Sequence, residues 1–182
     1  MIEHPGFVLW LTGLSGAGKT TIAKALDKEL RSRGIRVERL DGDTVRQSLT
    51  KDLGFSKVDR DLNIERVTFV AKLLSRNNVA VLSSFISPYR KIRDYVRDET
   101  TNFIEVFVDA PLDVCADRDV KGLYAKAFSG EIPNFTGVSD PYEAPAEADI
   151  WVHTDQETVE QSVAQILQWL EENEFIPVRV AL

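Results

Sequence analysis

Residues 13–21 read Gly-Leu-Ser-Gly-Ala-Gly-Lys-Thr-Thr, a complete G-x-x-x-x-G-K-[ST] run. It constrains the fold strongly because it works only where a strand hands over to a helix. The glycines let the backbone curl so that successive N–H groups point inward at an anion. In this pattern Lys19 supplies a cation for the outer phosphates of a nucleotide, and Thr20 offers a hydroxyl to a divalent metal. Both flanks fit. Phe7–Leu11 is a short apolar run that reads as a buried strand. Downstream, Ile22, Leu26 and Leu30 recur at four-residue spacing, as on one face of a helix. The N-terminus of that helix adds its dipole to anion binding. A plain glycine-rich turn would explain the glycines, but not the lysine and two threonines in register behind them.

The chain has 182 residues, with 43% hydrophobic and 28% charged, as expected for one globular domain spanning 1–182. Its single cysteine, Cys115, excludes an intrachain disulfide. With no signal-peptide pattern at the N-terminus, a reducing cytoplasm is expected. The longest strongly apolar run, Phe7 to Leu11, is too short to span a bilayer, so no membrane partner is expected. Net charge is −7, which argues against a nucleic-acid surface. An anionic ligand then needs a local cluster of Arg and Lys working against the global field.

Strand-like runs fall at Phe7–Thr12, Val37–Leu40, Val79–Phe85, Phe103–Val108 and Ile150–His153. Amphipathic stretches lie between them near 20–33, 61–77, 88–99, 111–127 and 156–172. This alternation predicts an α/β fold, a mostly parallel five-stranded sheet with helices on both faces. Ligands then bind beyond the carboxyl ends of the strands. Ser129 to Ala146 breaks the pattern with Pro133, Pro141, Pro145, Gly130 and Gly137. A loop that long in a compact domain is usually functional, and it reads as a lid.

Asp41-Gly42-Asp43 ends the second strand beside the phosphate loop. The third strand runs into Ser83-Ser84 with no acid, so Asp41 and Asp43 are the candidates to orient Mg²⁺ or to accept a proton from a substrate hydroxyl. The same tripeptide is also good turn and helix-cap chemistry. Arg46, Arg60 and Asn63 follow, and Arg suits forked hydrogen bonds to phosphate or sulfate. Phe55 stands in a Gly/Ser loop; core packing is its default reading, with stacking on a purine as the alternative. Ser87, before Pro88, reads as a cap of the next helix. Arg118, Asp119, Lys121 and Lys126 cluster just before the lid, as groups that close on a transferring phosphoryl or as an exposed charged face. Cys115 reads as a packed thiol, and Trp10, Trp151 and Trp169 as core.

Taken together these blocks resemble the adenylylsulfate kinases, P-loop kinases that phosphorylate the 3′-hydroxyl of adenosine 5′-phosphosulfate (APS). The resemblance runs from about Phe7 to Leu170. It rests on Gly13–Thr21, Asp41–Arg46, Lys51–Ser56 with Asp59-Arg60 and Asn63, Ser84–Arg90, and Lys121–Tyr124 leading to Gly130–Ile132 and Phe135–Gly137. It implies a three-layer P-loop kinase fold, with ATP and Mg²⁺ at Gly16, Ala17, Gly18, Lys19, Thr20 and Thr21. It implies APS held by Asp43, Arg46, Phe55, Arg60, Asn63, Ile86, Ser87, Lys121, Phe135 and Thr136. Within that set Lys19 and Asp43 are the candidate catalytic groups, with Ser87 as a possible phosphoryl carrier, and Thr20 and Asp41 the candidate metal ligands. A homodimer, a place in sulfate assimilation and an ATP sulfurylase partner are implied as well. Thr44, Glu65, Ala125 and Phe128 depart from the family pattern, and the last three lower the positive charge around the site. Another small-molecule P-loop kinase and a non-catalytic regulatory domain are the rivals. The Phe55–Asn63 and Lys121–Gly137 blocks argue against the first, the intact Lys19 and Thr20 against the second.

Overall fold

The computed structural model describes residues 4–119 and 121–178. Five strands, β1 (Phe7–Thr12), β2 (Val37–Asp41), β3 (Ala80–Ser84), β4 (Phe103–Asp109) and β5 (Ile150–His153), form one sheet in the order β2-β3-β1-β4-β5. Every pairing is parallel, with Leu9 opposite both Leu82 and Ile104. Parallel strands need crossovers, and the helices supply them: α1 (Lys19–Ser32), α2 (Gly42–Gln47), α3 (Lys57–Ser75), α4 (Arg90–Glu99), α5 (Leu112–Arg118), α6 (Leu123–Phe128) and α7 (Val159–Glu172).

Central β1 is buried at every residue because helices cover both faces of the sheet. Alternate side chains point to opposite faces. Phe7, Leu9 and Leu11 pack with Ile22, Leu26 and Leu30 of α1 and Ile166 and Leu170 of α7. Val8 and Trp10 pack with Ile64, Val67 and Ala71 of α3 and Ile92 and Val96 of α4. Truncating Leu26, which is fully buried, to Ala costs about 2–5 kcal/mol.

The tertiary structure corrects the sequence reading of the framework at several points. The expected helix at 111–127 is two, α5 and α6. Gly122 breaks it in the left-handed region at φ 63°, and the Asp119 carboxylate accepts from the backbone N–H groups of Tyr124 and Ala125. Helix α2 has no apolar period to announce it; it begins because the Asp41 side chain accepts from Asp43 N. Trp151 is 45% exposed rather than core. It lies on edge strand β5, on the face away from α7, whereas Ile150 and Val152 face the core. Ser87 does not cap α4; the capping position is Tyr89, with no side-chain cap bond.

Candidate active site

The carboxyl ends of the strands meet along one edge. There the phosphate loop follows β1, Asp41 closes β2, and Phe85–Pro88 leaves β3. A cavity of about 790 Å³ runs along this edge. Every site residue expected from sequence lines it except Ala17, which is buried in the core under the loop.

The loop backbone explains its glycines. Gly16 and Gly18 have φ of 77° and 105°, in the left-handed region. At Gly13 a Cβ would stand 2.3 Å from the Val108 carbonyl oxygen, so only glycine fits between β1 and β4. Lys19 Nζ folds back and donates to the carbonyls of Gly13 (2.8 Å) and Leu14 (2.7 Å). Burial lowers its pKa to about 8, and the nearby carboxylates of Asp41 and Asp43 offset this only in part. Thr20 Oγ1 donates to Asp41 Oδ2 at 2.8 Å. Asp41 therefore serves the loop with one oxygen and starts α2 with the other. Asp43 forms an ion pair with Lys121.

The opposite wall is built from the blocks after β2 and β3. Arg46 donates to the Gly54 carbonyl (3.0 Å), and its guanidinium lies over the Phe55 ring at 4.4 Å. Phe55 is 65% exposed, which corrects its default reading as core. Asn63 is buried and accepts from Thr50 Oγ1 at 2.7 Å. Arg60 donates to Thr136 (3.0 Å), to the Asp140 carboxylate (2.5 Å) and to the Asn134 carbonyl. Tyr89 donates to the same carboxylate at 2.7 Å. The segment after residue 133 is thereby pinned, and Phe135 and Thr136 are held against the cavity. Among the described residues, Ser129 to Ile132 bond to α6 and to themselves.

Ser87 is buried at φ 39°, a left-handed conformation unusual for a residue with a side chain. Its Oγ accepts from Trp10 Nε1 (3.0 Å) and donates to Thr12 Oγ1 (3.2 Å). Thr12 donates to the Ile86 carbonyl (2.7 Å), so the Tyr142 hydroxyl must be the donor to Thr12 (2.9 Å). Burial raises the Tyr142 pKa, which keeps that donor protonated. Cys115 is buried and its thiol pKa is raised, chiefly by burial, in keeping with a packed thiol.

One end of the cavity has no sequence signal. Thr154, Glu157, Val159 and Ser162 line it from the turn after β5 and the start of α7. Arg118 belongs here rather than to the lid: it donates to the Gly16 carbonyl (3.2 Å) and the Thr154 carbonyl (2.7 Å).

Comparison with known proteins points to one family. A family model described as adenylylsulphate kinase matches residues 5–153. A probable adenylyl-sulfate kinase of Pseudomonas aeruginosa is 79% identical over 168 residues, 92% of this chain and 78% of that one. The adenylyl-sulfate kinase of Halothermothrix orenii is 58% identical over 176 residues, covering 97% and 95%. The structure of the Mycobacterium tuberculosis APS kinase CysC in complex with AMPPNP and APS superposes with a TM-score of 0.89 at 40% identity, covering 93% of this chain and 99% of that one.

Proposed function

The chain belongs to the adenylylsulphate kinase family, and from that premise we infer that it transfers the γ-phosphoryl group of ATP to the 3′-hydroxyl of APS. The products are 3′-phosphoadenosine 5′-phosphosulfate and ADP. One observation carries the residue assignment: a single cavity joins the phosphate loop to the wall of Arg46, Phe55, Asn63 and Ser87, with Asp43 between them.

In this reading ATP lies with its phosphates on Gly16–Thr21 and its base toward Arg118 and Thr154. APS takes the other end, where exposed Phe55 offers a face for its purine and Arg46, Arg60 and Lys121 answer its negative charge. Lys19 leaves the loop carbonyls to meet the β- and γ-phosphates. Asp43 accepts the proton of the attacking hydroxyl, and transfer is direct and in line. Ser87 shapes the acceptor wall through its hydrogen bonds and carries no phosphoryl group. Residues 129–146 act as a lid, with closure concentrated at Ser129–Pro133.

Thr20 and Asp41 fit Mg²⁺: both present oxygen, the ligand type it prefers. Among the described residues no group of three or more His, Cys, Asp or Glu side chains is placed to hold a metal. This suits an ion that takes one or two protein ligands and completes its shell with phosphates and water. When bound, it would neutralise charge on the β- and γ-phosphate oxygens.

A homodimer would cover Val58 and Phe69 of α3 and Tyr95 of α4, apolar groups that stand exposed. Sulfate assimilation in the cytoplasm and association with ATP sulfurylase complete the proposal. No helix among the described residues is long and apolar enough to cross a membrane.

The deciding assay is ADP release from ATP with APS or AMP as acceptor. Turnover with APS far above that with AMP is expected. Equal or faster turnover with AMP would move the assignment to another small-molecule kinase.

A further inference from the structure

Arg93 lies on α4 and is only 2% exposed, yet it makes three hydrogen bonds behind the acceptor wall. Its Nε donates to Glu105 Oε1 on β4 at 2.8 Å. Nη1 donates to the Ser87 carbonyl at 2.7 Å, and Nη2 to the Glu143 carbonyl at 2.6 Å. The same guanidinium lies 5.8 Å from the Tyr142 ring centroid. One rigid planar group thus joins a core strand to two loops that are 50 or more residues apart from each other in sequence.

Both loops serve the cavity. Ile86 and Ser87 line it directly. Glu143 closes the segment that carries Phe135 and Thr136, and its own backbone N–H donates to the Pro88 carbonyl at 2.8 Å. Ser87 needs outside support, because a left-handed backbone persists in a residue with a side chain only where its surroundings over-determine it. Trp10 and Thr12 hold its hydroxyl, and Arg93 holds its carbonyl. Glu105 is in turn fixed: Arg97 lies 3.5 Å from its second oxygen, and its backbone N–H donates to Asp149. Arg93 does not line the cavity.

We propose that Arg93 is a positioning residue for the acceptor: it holds the Ser87 turn and the Tyr142–Glu143 strap in register, so that the acceptor wall is assembled before substrate arrives. The proposal rests on the reading that this wall receives APS. The three side-chain bonds of Arg93 go to Glu105, Ser87 and Glu143 rather than to the phosphate loop, so the larger effect is expected on the acceptor.

The test compares Arg93→Lys with the double variant Arg93→Met/Glu105→Gln, which leaves no unpaired buried charge if the single neutral variant fails to fold. In the folded double variant KM for APS rises about tenfold or more, as loss of charged hydrogen bonds implies, while KM for ATP stays within about twofold. Amide exchange quickens at 86–89 and 142–146 in the ligand-free protein. Arg93→Lys restores thermal stability through Glu105 but retains the KM defect, because its single nitrogen cannot stand where Nε, Nη1 and Nη2 each meet a different acceptor. Unchanged KM for APS and unchanged exchange in the folded double variant would overturn the proposal. So would equal rises in KM for both substrates, or full rescue by lysine. If the wild-type protein fails to use APS, the functional reading falls, and the exchange measurement still decides whether Arg93 orders the two loops.

Discussion

Lys121 and Asp43, 78 residues apart in the chain, form an ion pair on the solvent side of the cavity between the phosphate loop and the acceptor wall. The carboxylate proposed to take the hydroxyl proton is therefore already engaged in the free protein, and on that proposal substrate competes for both partners. Asp43→Asn keeps the size of the side chain and removes its basicity. It is expected to lower kcat by about 10²–10⁴ with little change in nucleotide affinity. Single-turnover rates at wild-type level would remove Asp43 from the chemistry.

Lys19 gives a pH prediction with a definite sign. In the free protein its pKa falls from 10.5 to about 8. Above pH 8 the lysine is largely neutral, and bound phosphates must restore its proton. Nucleotide binding then takes up a proton near pH 9 but not at pH 7, and affinity declines as pH rises through 8. Calorimetry in buffers of different ionisation heat reads this directly, and an absence of uptake at pH 9 would mean the lysine is already charged. Lys19→Ala abolishes the uptake and costs about 10²–10³ in rate, as for other groups that stabilise transition-state charge.

Arg46→Ala is expected to weaken APS binding and to spare ATP. Its guanidinium covers Phe55 and braces the Gly54 turn, and makes no hydrogen bond to the phosphate loop among the described residues. A charged hydrogen bond of about 1.5–3 kcal/mol corresponds to roughly 10–150-fold in affinity. Equal weakening of both ligands by titration would place Arg46 in the wrong subsite.

Ligand-dependent ordering within 129–146 is expected to concentrate at Ser129–Pro133. Arg60, Tyr89, Arg90 and Arg93 hold residues 134–144. Hydrogen exchange at 129–133 should slow when an ATP analogue and APS are both present, as the site excludes water. Identical protection with and without ligands would count against a lid.

Ser87→Ala separates direct transfer from a two-step route. Among the described residues no histidine or lysine lies on its hydroxyl, which accepts from an indole and donates to a threonine. An unactivated hydroxyl is a weak nucleophile. The variant should retain substantial activity, and a chiral γ-phosphate should be transferred with inversion. Net retention of configuration would establish a phosphoserine intermediate.

Much of the molecule was legible in its sequence. The glycine-lysine-threonine run required a strand before it and a helix after it. Apolar strands alternating with amphipathic helices left a parallel sheet as the solution, and parallel order places loop, Asp41 and Ser87 on one edge. These are local or periodic signals. The remainder depended on contacts between distant segments. No period announces that Arg93 spans Ser87 and Glu143, that Arg60 pins Asp140, or that Thr154 and Val159 line the cavity. Trp151 looks like core in sequence and is exposed because its strand is an edge. Ser87 looks like a helix cap and is instead a strained turn, because Trp10 and Arg93 hold it where no local preference would. Sequence determined which elements form and which chemistry they carry. Only the packing of helices on both faces of the sheet decided which polar groups meet, because a buried hydrogen bond depends on the partner that the fold delivers.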